Sequence, residues 1–237
     1  MNVQQFPTST TLRLRGFRGD NAQHFDVHPF QLIVAGWAGR DVAAMEAHIR
    51  ELEEIGVARP RTTPMYYRLA STLLTQADTI EVAGYGSSGE AEVVLIHGED
   101  GYWVALGSDH TDRKLETVGV TLSKQVCAKP VSHGCWHFDD LLDHWDEIVL
   151  RSTVVVDGEP QLYQEGHLSG LQRPDALLET FLASGGSFPV GSIMFCGTVP
   201  VRNGFFFSDA VTLELVDPVL NRTLRHDYAV RALDIVD

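Results

Sequence analysis

The chain has 237 residues, 44% hydrophobic and 21% charged, with a formal net charge of −14. That is enough apolar material for a sizeable core in a single domain. No apolar run approaches the ~18–20 residues of a membrane span, and the acidic excess argues against nucleic acid or an anionic membrane as a partner. Met1–Phe6 has neither a basic start nor an apolar signal-type run. Cys127, Cys135 and Cys196 form no framework spacing, which suits a reducing, cytoplasmic setting.

In chain order, residues 10–36 alternate as strands, with a turn at 18–21. The spacing predicts a helix from Gly36 to Ile55, capped by Asp41, with Val42, Met45, Ala47, Ile49, Leu52 and Ile55 on its apolar side and Gly56 as its stop. Residues 59–64 form an extended connector, because the residue before each proline disfavours helix. The short segment 66–74 is ambiguous. From Thr79 to Ala105 the pattern is strand, turn, strand, turn, strand. Asp139–Leu150 is expected as an amphipathic helix with Leu141, Leu142, Trp145 and Ile148 inward. Val154–Val156 before Asp157-Gly158 signals a hairpin, and Pro174–Ala183 a second helix. The remaining strands are expected at Ser192–Phe195, Phe205–Phe207, Val211–Val216 and Tyr228–Ile235.

Chemistry concentrates between Gly89 and Arg113. Glu90 and Glu92 lie two apart at the start of an apolar segment, so a strand projects both carboxylates to one side and Ala91 and Val93 to the other. Like charges held that close repel, and a divalent cation relieves the repulsion. Asp109, beside Gly107 and Ser108, is a third candidate oxygen ligand, and three carboxylates favour Mg²⁺ or Mn²⁺. The same Glu-x-Glu pair also describes the solvated face of an edge strand. Cys127, His133, Cys135 and His137 form a rival, zinc-type set, but their spacing matches no common zinc pattern.

These residues resemble a known family. Glu90-Ala91-Glu92 and the strand ending at Gly98 resemble the E-x-E-L-x-x-V-I-G strand of the fumarylacetoacetate hydrolase superfamily. Asp109, Thr111, Arg113 and Leu115 fall in register with that family's D-x-S-A-R-D-L-Q segment. Ser123-Lys124 matches its S-K, and Asp157-Gly158-Glu159 with Gln164 its N-G-E…Q hairpin. Pro189–Ser192 matches its P-G-D turn, and Gly197-Thr198 its T-G-T-P. The motifs occur in family order, and the sequence is similar to an uncharacterised bacterial branch. The family-like portion covers 64–237, while residues 1–60, a strand-helix portion, do not align.

The resemblance implies an α+β fold, a strand-rich mixed β-sandwich roll with two or three peripheral helices, forming a homodimer. It implies Mg²⁺ or Mn²⁺ on Glu90, Glu92 and Asp109, with Lys124 beside the reacting oxygen. Gly197 and Thr198 would hold the substrate carboxylate, and Arg113 would contact substrate or brace the metal loop. The implied activity is hydrolysis of a C–C or C–N bond in a small oxo- or enamide-type carboxylic acid through an enolate-like intermediate. Hydration or decarboxylation of a 2-oxo acid on the same site is the alternative, with a non-enzymatic binding protein behind it. His110 and His133 are the candidate general bases, on chemistry alone. Several positions depart from the pattern. The Glu92–Asp109 spacing is short. Asp112 replaces a small residue, as an acid-base group or a partner for Arg113, and Lys114, Cys196 and Val199 also differ.

Overall fold

The computed structural model describes residues 10–54, 56, 58–202 and 204–236. Met1–Phe6, and Ile55 at the end of the predicted first helix, lie outside the described residues. The chain opens with β1 (Leu12–Arg18), β2 (Asn21–Val27) and β3 (Gln31–Gly36), followed by α1 (Val42–Glu54). The side chain of Asp41 caps α1, accepting from the N–H groups of Ala43 at 2.9 Å and Ala44 at 3.0 Å. Ile49 is buried and Met45 half-buried, but Val42 and Ala47 face solvent. The helix therefore lies over the molecule as a flap with a narrow apolar seam.

Next come β4 (Met65–Leu69), β5 (Leu74–Thr75), β6 (Thr79–Ala83) and β7 (Ser87–Ser88), which resolve the ambiguous segment as strand and 3₁₀ turn. Then come β8 (Ala91–Gly98), β9 (Gly101–Ser108), β10 (Thr111–Asp112), α2 (Arg113–Glu116), α3 (Val120–Gln125) and β11 (Lys129–His137). The chain ends with β12 (Val149–Val156), β13 (Glu159–His167), α4 (Pro174–Ala183), β14 (Ser192–Thr198), β15 (Ala210–Asp217) and β16 (Arg222–Leu233).

A nine-stranded mixed sheet runs β2-β1-β11-β9-β8-β14-β3-β4, with β5 against β11. A five-stranded sheet, β13-β12-β15-β16-β6, packs on one face of it. Strand β8 is buried on both faces. Ala91, Val93 and Leu95 enter the core between the sheets with Leu150, Leu213 and Leu215, whereas Val94 and Ile96 enter a second core with Val34, Ile193 and Phe195. The unaligned N-terminal portion is built into this sheet, because β3 pairs in parallel with β14.

Three predicted elements differ, the first being the helix expected from Gly36, which starts only at Val42 because Gly36 closes β3. Phe138–Glu147 is a 3₁₀ stretch rather than an α-helix, and it breaks at His144 (φ −135°, ψ 22°). Leu141, Trp145 and Ile148 are buried as expected. However, the ring of His144 turns to Asp217 at 3.0 Å, and Val149 and Leu150 are taken into the ladder with β15. Phe205–Phe207 forms no strand. Its three rings instead pack singly against Arg113, Tyr163 and Tyr85. The Asp157-Gly158 hairpin forms as expected, with both residues at positive φ (52° and 81°), as a tight primed turn requires.

Candidate active site

The C-terminal ends of β3 and β14 meet the N-terminal end of β8 at one end of the strands of the large sheet, in its interior. A cavity of about 660 Å³ opens there, and Glu90, Glu92, Asp109, Arg113, Lys124, Gly197 and Thr198 all line it. The short spacing from Glu92 to Asp109 is the length of one hairpin. Strands β8 and β9 turn at Glu99-Asp100, and their register sets Glu92 opposite Gly107. Asp109 follows two residues later, its N–H donating to the carbonyl of Glu90 at 3.0 Å.

Asp109 is fully buried, and two cations reach it. Lys124, in the last turn of α3, hydrogen-bonds Oδ2, and Lys129 Nζ lies 3.3 Å from Oδ1. Burial pushes the Asp109 carboxyl up, but the two ammonium groups outweigh burial and hold it below the usual carboxylate range. The pairing is mutual for Lys124: burial disfavours its charge, and Asp109, Glu90 and Glu92 more than restore it. Glu92 makes no ion pair among the described residues, and the more distant Lys124 offsets its burial only in part. Burial, and then the charge of Asp109, hold it well above the ordinary glutamate value, while its Oε2 accepts the N–H of Gly197 at 2.8 Å. Arg113 Nη2 reaches Glu90 Oε1 at 3.1 Å and its Nη1 reaches Glu116 at 3.2 Å, with Nε on Ser88 Oγ at 2.8 Å. The ring of Phe205 lies 3.9 Å from that guanidinium.

Local backbone makes this possible. A register shift between Phe195 and Thr198 interrupts the β14–β8 ladder, and Gly197 at its centre has φ 93°. That left-handed turn aims the Gly197 N–H at Glu92, and a Cβ there would stand 2.8 Å from Ala38. Thr198 donates to the carbonyl of Ala91 at 2.7 Å and accepts from Gln164 Nε2 at 2.7 Å. Gln164 Oε1 accepts from Ala91 N at 2.8 Å and Ser152 Oγ at 2.9 Å, joining three strands beneath the cavity.

Residues 35–228 match the model of a family described as protein of unknown function, DUF2848. The chain belongs to the DUF2848 family. Comparison with curated proteins finds no similar sequence. A protein from Oleispira antarctica assigned as a fumarylacetoacetate isomerase/hydrolase is 18% identical, with a TM-score of 0.62 over 90% of this chain and 97% of that one. One from Burkholderia cenocepacia assigned as a fumarylpyruvate hydrolase is 15% identical, with a TM-score of 0.62 over 96% and 98%. A 2-keto-3-deoxy-D-arabinonate dehydratase, complexed with magnesium and 2,5-dioxopentanoate, is 14% identical, with a TM-score of 0.59 over 90% and 77%. This DUF2848 chain thus has the fumarylacetoacetate hydrolase fold.

Both histidines expected as general bases lie elsewhere in this DUF2848 structure. His110 turns into the core, its Nε2 3.0 Å from Ser87 Oγ and its Nδ1 3.3 Å from the Tyr228 hydroxyl. Burial lowers its pKa to about 3. His133 is on the exposed side of β11, beside the carbonyl of Arg13 at 3.3 Å. With His133 outside and Cys135 in the core, the zinc-type set is dispersed. Asp112 neither pairs with Arg113 nor faces the cavity; it caps α2, accepting from Lys114 N at 2.9 Å and Leu115 N at 3.0 Å. The hydroxyl of Thr198 is already engaged, donating to Ala91 and accepting from Gln164, so its proton is not free for a ligand.

Sequence reasoning missed Lys129, whose ammonium is fully buried among the carbonyls of His110, Lys124 and Cys127. A lysine opening an apolar strand just before Pro130 was its only signal. It also missed Glu51, which lines the cavity from α1.

Among the described residues, no group of three or more His, Cys, Asp or Glu side chains is gathered as a metal site. Arg113, Lys124 and the Gly197 N–H each draw one carboxylate oxygen aside. The donor chemistry nevertheless fits a hard dication. Three carboxylates line one cavity, Glu92 is buried with no ion pair among the described residues, and Asp109 Oδ1 is buried with only the Lys129 ammonium beside it, at 3.3 Å.

Proposed function

We propose that this protein is a Mg²⁺- or Mn²⁺-dependent enzyme that cleaves a C–C or C–N bond in a small oxo- or enamide-type carboxylic acid. The observation that carries the reading is that Glu90, Glu92 and Asp109 line one cavity, with Lys124 paired to Asp109. These three carboxylates are the residues that would hold the cation. When bound, it supplies positive charge to substrate oxygens that become enolate-like. Lys124 presents a second, fixed positive charge at the same oxygens. Arg113 holds Glu90 in place, and the Gly197 N–H holds Glu92. Hydration or decarboxylation of a 2-oxo acid would use the same residues, and product analysis separates these outcomes.

The deciding experiment is a crystal soak with Mn²⁺ and oxalate. Anomalous density between Glu90, Glu92 and Asp109 supports the reading, and its absence sinks it. Glu92→Gln should lose both bound metal and turnover; unchanged metal content overturns the ligand assignment. The same proposal includes a homodimer, tested by sedimentation velocity. It also places the protein in the cytoplasm, a setting that the three buried free thiols suit.

A further inference from the structure

The cavity that would hold the metal also has a composition that selects the tail a substrate can carry behind its reacting head. Its lining includes six carboxylates, Asp41, Glu51, Glu90, Glu92, Asp109 and Glu116, against two cations, Arg113 and Lys124. Both cations are already engaged: Arg113 lies between Glu90 and Glu116, and Lys124 sits on Asp109. A dication would halve the formal negative excess without reversing it. A second carboxylate on the substrate would therefore meet no uncommitted cation among the described lining residues and would lose its hydration within an acidic cavity.

Exposure increases toward the mouth. Glu92 and Asp109 are buried at the floor, whereas Trp37, Met45 and Val201 are half-buried and Phe205 is 42% exposed. The acids above the floor are engaged within the protein: Asp41 caps α1, Glu116 pairs with Arg113, and Glu51 has a partner of its own. The mouth thus offers apolar and aromatic surface contributed by β3, α1 and the loop after β14.

We propose, resting on the metal reading above, that the substrate is a monoanion: one oxo-carboxylate head on the floor and an uncharged apolar or aromatic tail against Trp37, Met45, Val201 and Phe205. Transfer of such a tail from water is favourable in proportion to the apolar area it loses, whereas an unpaired tail carboxylate is penalised.

The test is binding to the Mn²⁺-loaded protein by calorimetry, without turnover, using four probes. Oxalate reports the head alone. Phenylpyruvate carries an aromatic tail, α-ketoglutarate a carboxylate tail and α-ketoarginine a cationic one. Phenylpyruvate should bind at least about tenfold tighter than either charged-tail acid. Val201→Lys places a cation at the mouth and should narrow or invert the ratio of phenylpyruvate to α-ketoglutarate while oxalate is unaffected. Met45→Lys should do the same from the exposed helix if the first variant folds poorly. If oxalate binds but α-ketoglutarate or α-ketoarginine matches or exceeds phenylpyruvate, the tail assignment falls and the metal reading stands. A protein that binds neither Mn²⁺ nor oxalate overturns the metal reading and this proposal with it.

Discussion

At the scale of single residues, charge burial decides most of what is unusual here. That Glu90, Glu92 and Asp109 share one cavity was legible in their spacing and in their register with the family's motifs. Lys129 and Glu51 were not, since nothing in a sequence says which lysine a fold will enclose or which helical face will overlook a cavity. Lys129→Met removes a cation from Asp109 and leaves three carbonyls short of a donor, so it should cost about 3 kcal/mol in urea unfolding. His226, on β16 opposite Leu213, gives a pH signature. Burial lowers its pKa from the ordinary 6.5, and its Nε2 lacks a hydrogen-bond partner among the described residues. The unfolded chain binds that proton first as pH falls, so His226 costs stability as pH drops through 6.5. His226→Leu should therefore flatten the fall in unfolding free energy between about pH 7.5 and 5.5; an unchanged slope would rule this out.

Elements were read well where local chemistry is decisive and poorly where partners decide. The cap at Asp41, the proline-led α4 and the Asp157-Gly158 hairpin obey short-range rules, and all three form. The 139–150 segment carries helical spacing, yet pairing with β15 claims its end and His144 its middle. Phe205–Phe207 has strand-like residues but no neighbouring strand to pair with, and its rings find separate partners. The bulge in β14 was hidden for the same reason, because only the partner strand reveals a register shift. Gly197→Ala meets both the positive φ and the Ala38 side chain, so a loss of about 1–3 kcal/mol is expected by chemical denaturation. The same variant should weaken Mn²⁺ binding, because the N–H that orients Glu92 moves with the backbone.

For the molecule as a whole, a site that holds like charges together should be stabilised by what it binds. Mn²⁺ at about one hundred times its dissociation constant should add about 2.7 kcal/mol to unfolding, seen as a rise in melting temperature that excess chelator reverses. Glu92→Gln should erase that rise. A wild-type melting curve indifferent to Mn²⁺ would contradict the carboxylate assignment at this scale too.

The parallel pairing of β3 with β14 has a further consequence, for synthesis. Gln31 Nε2 bonds Ser192 Oγ at 2.8 Å across 161 residues of chain, and the cavity needs both strands. A ribosome-bound chain that has not yet released β14 lacks the strand that walls the cavity and the N–H that orients Glu92, so it should neither capture a metal ion nor form the fully protected sheet. Stalled chains ending before Ser192 should remain protease-sensitive through β3 and β8 and release no site-bound Mn²⁺. Assembly of the site is then one of the last events in folding, and the long-range closure that delays it should also make it slow.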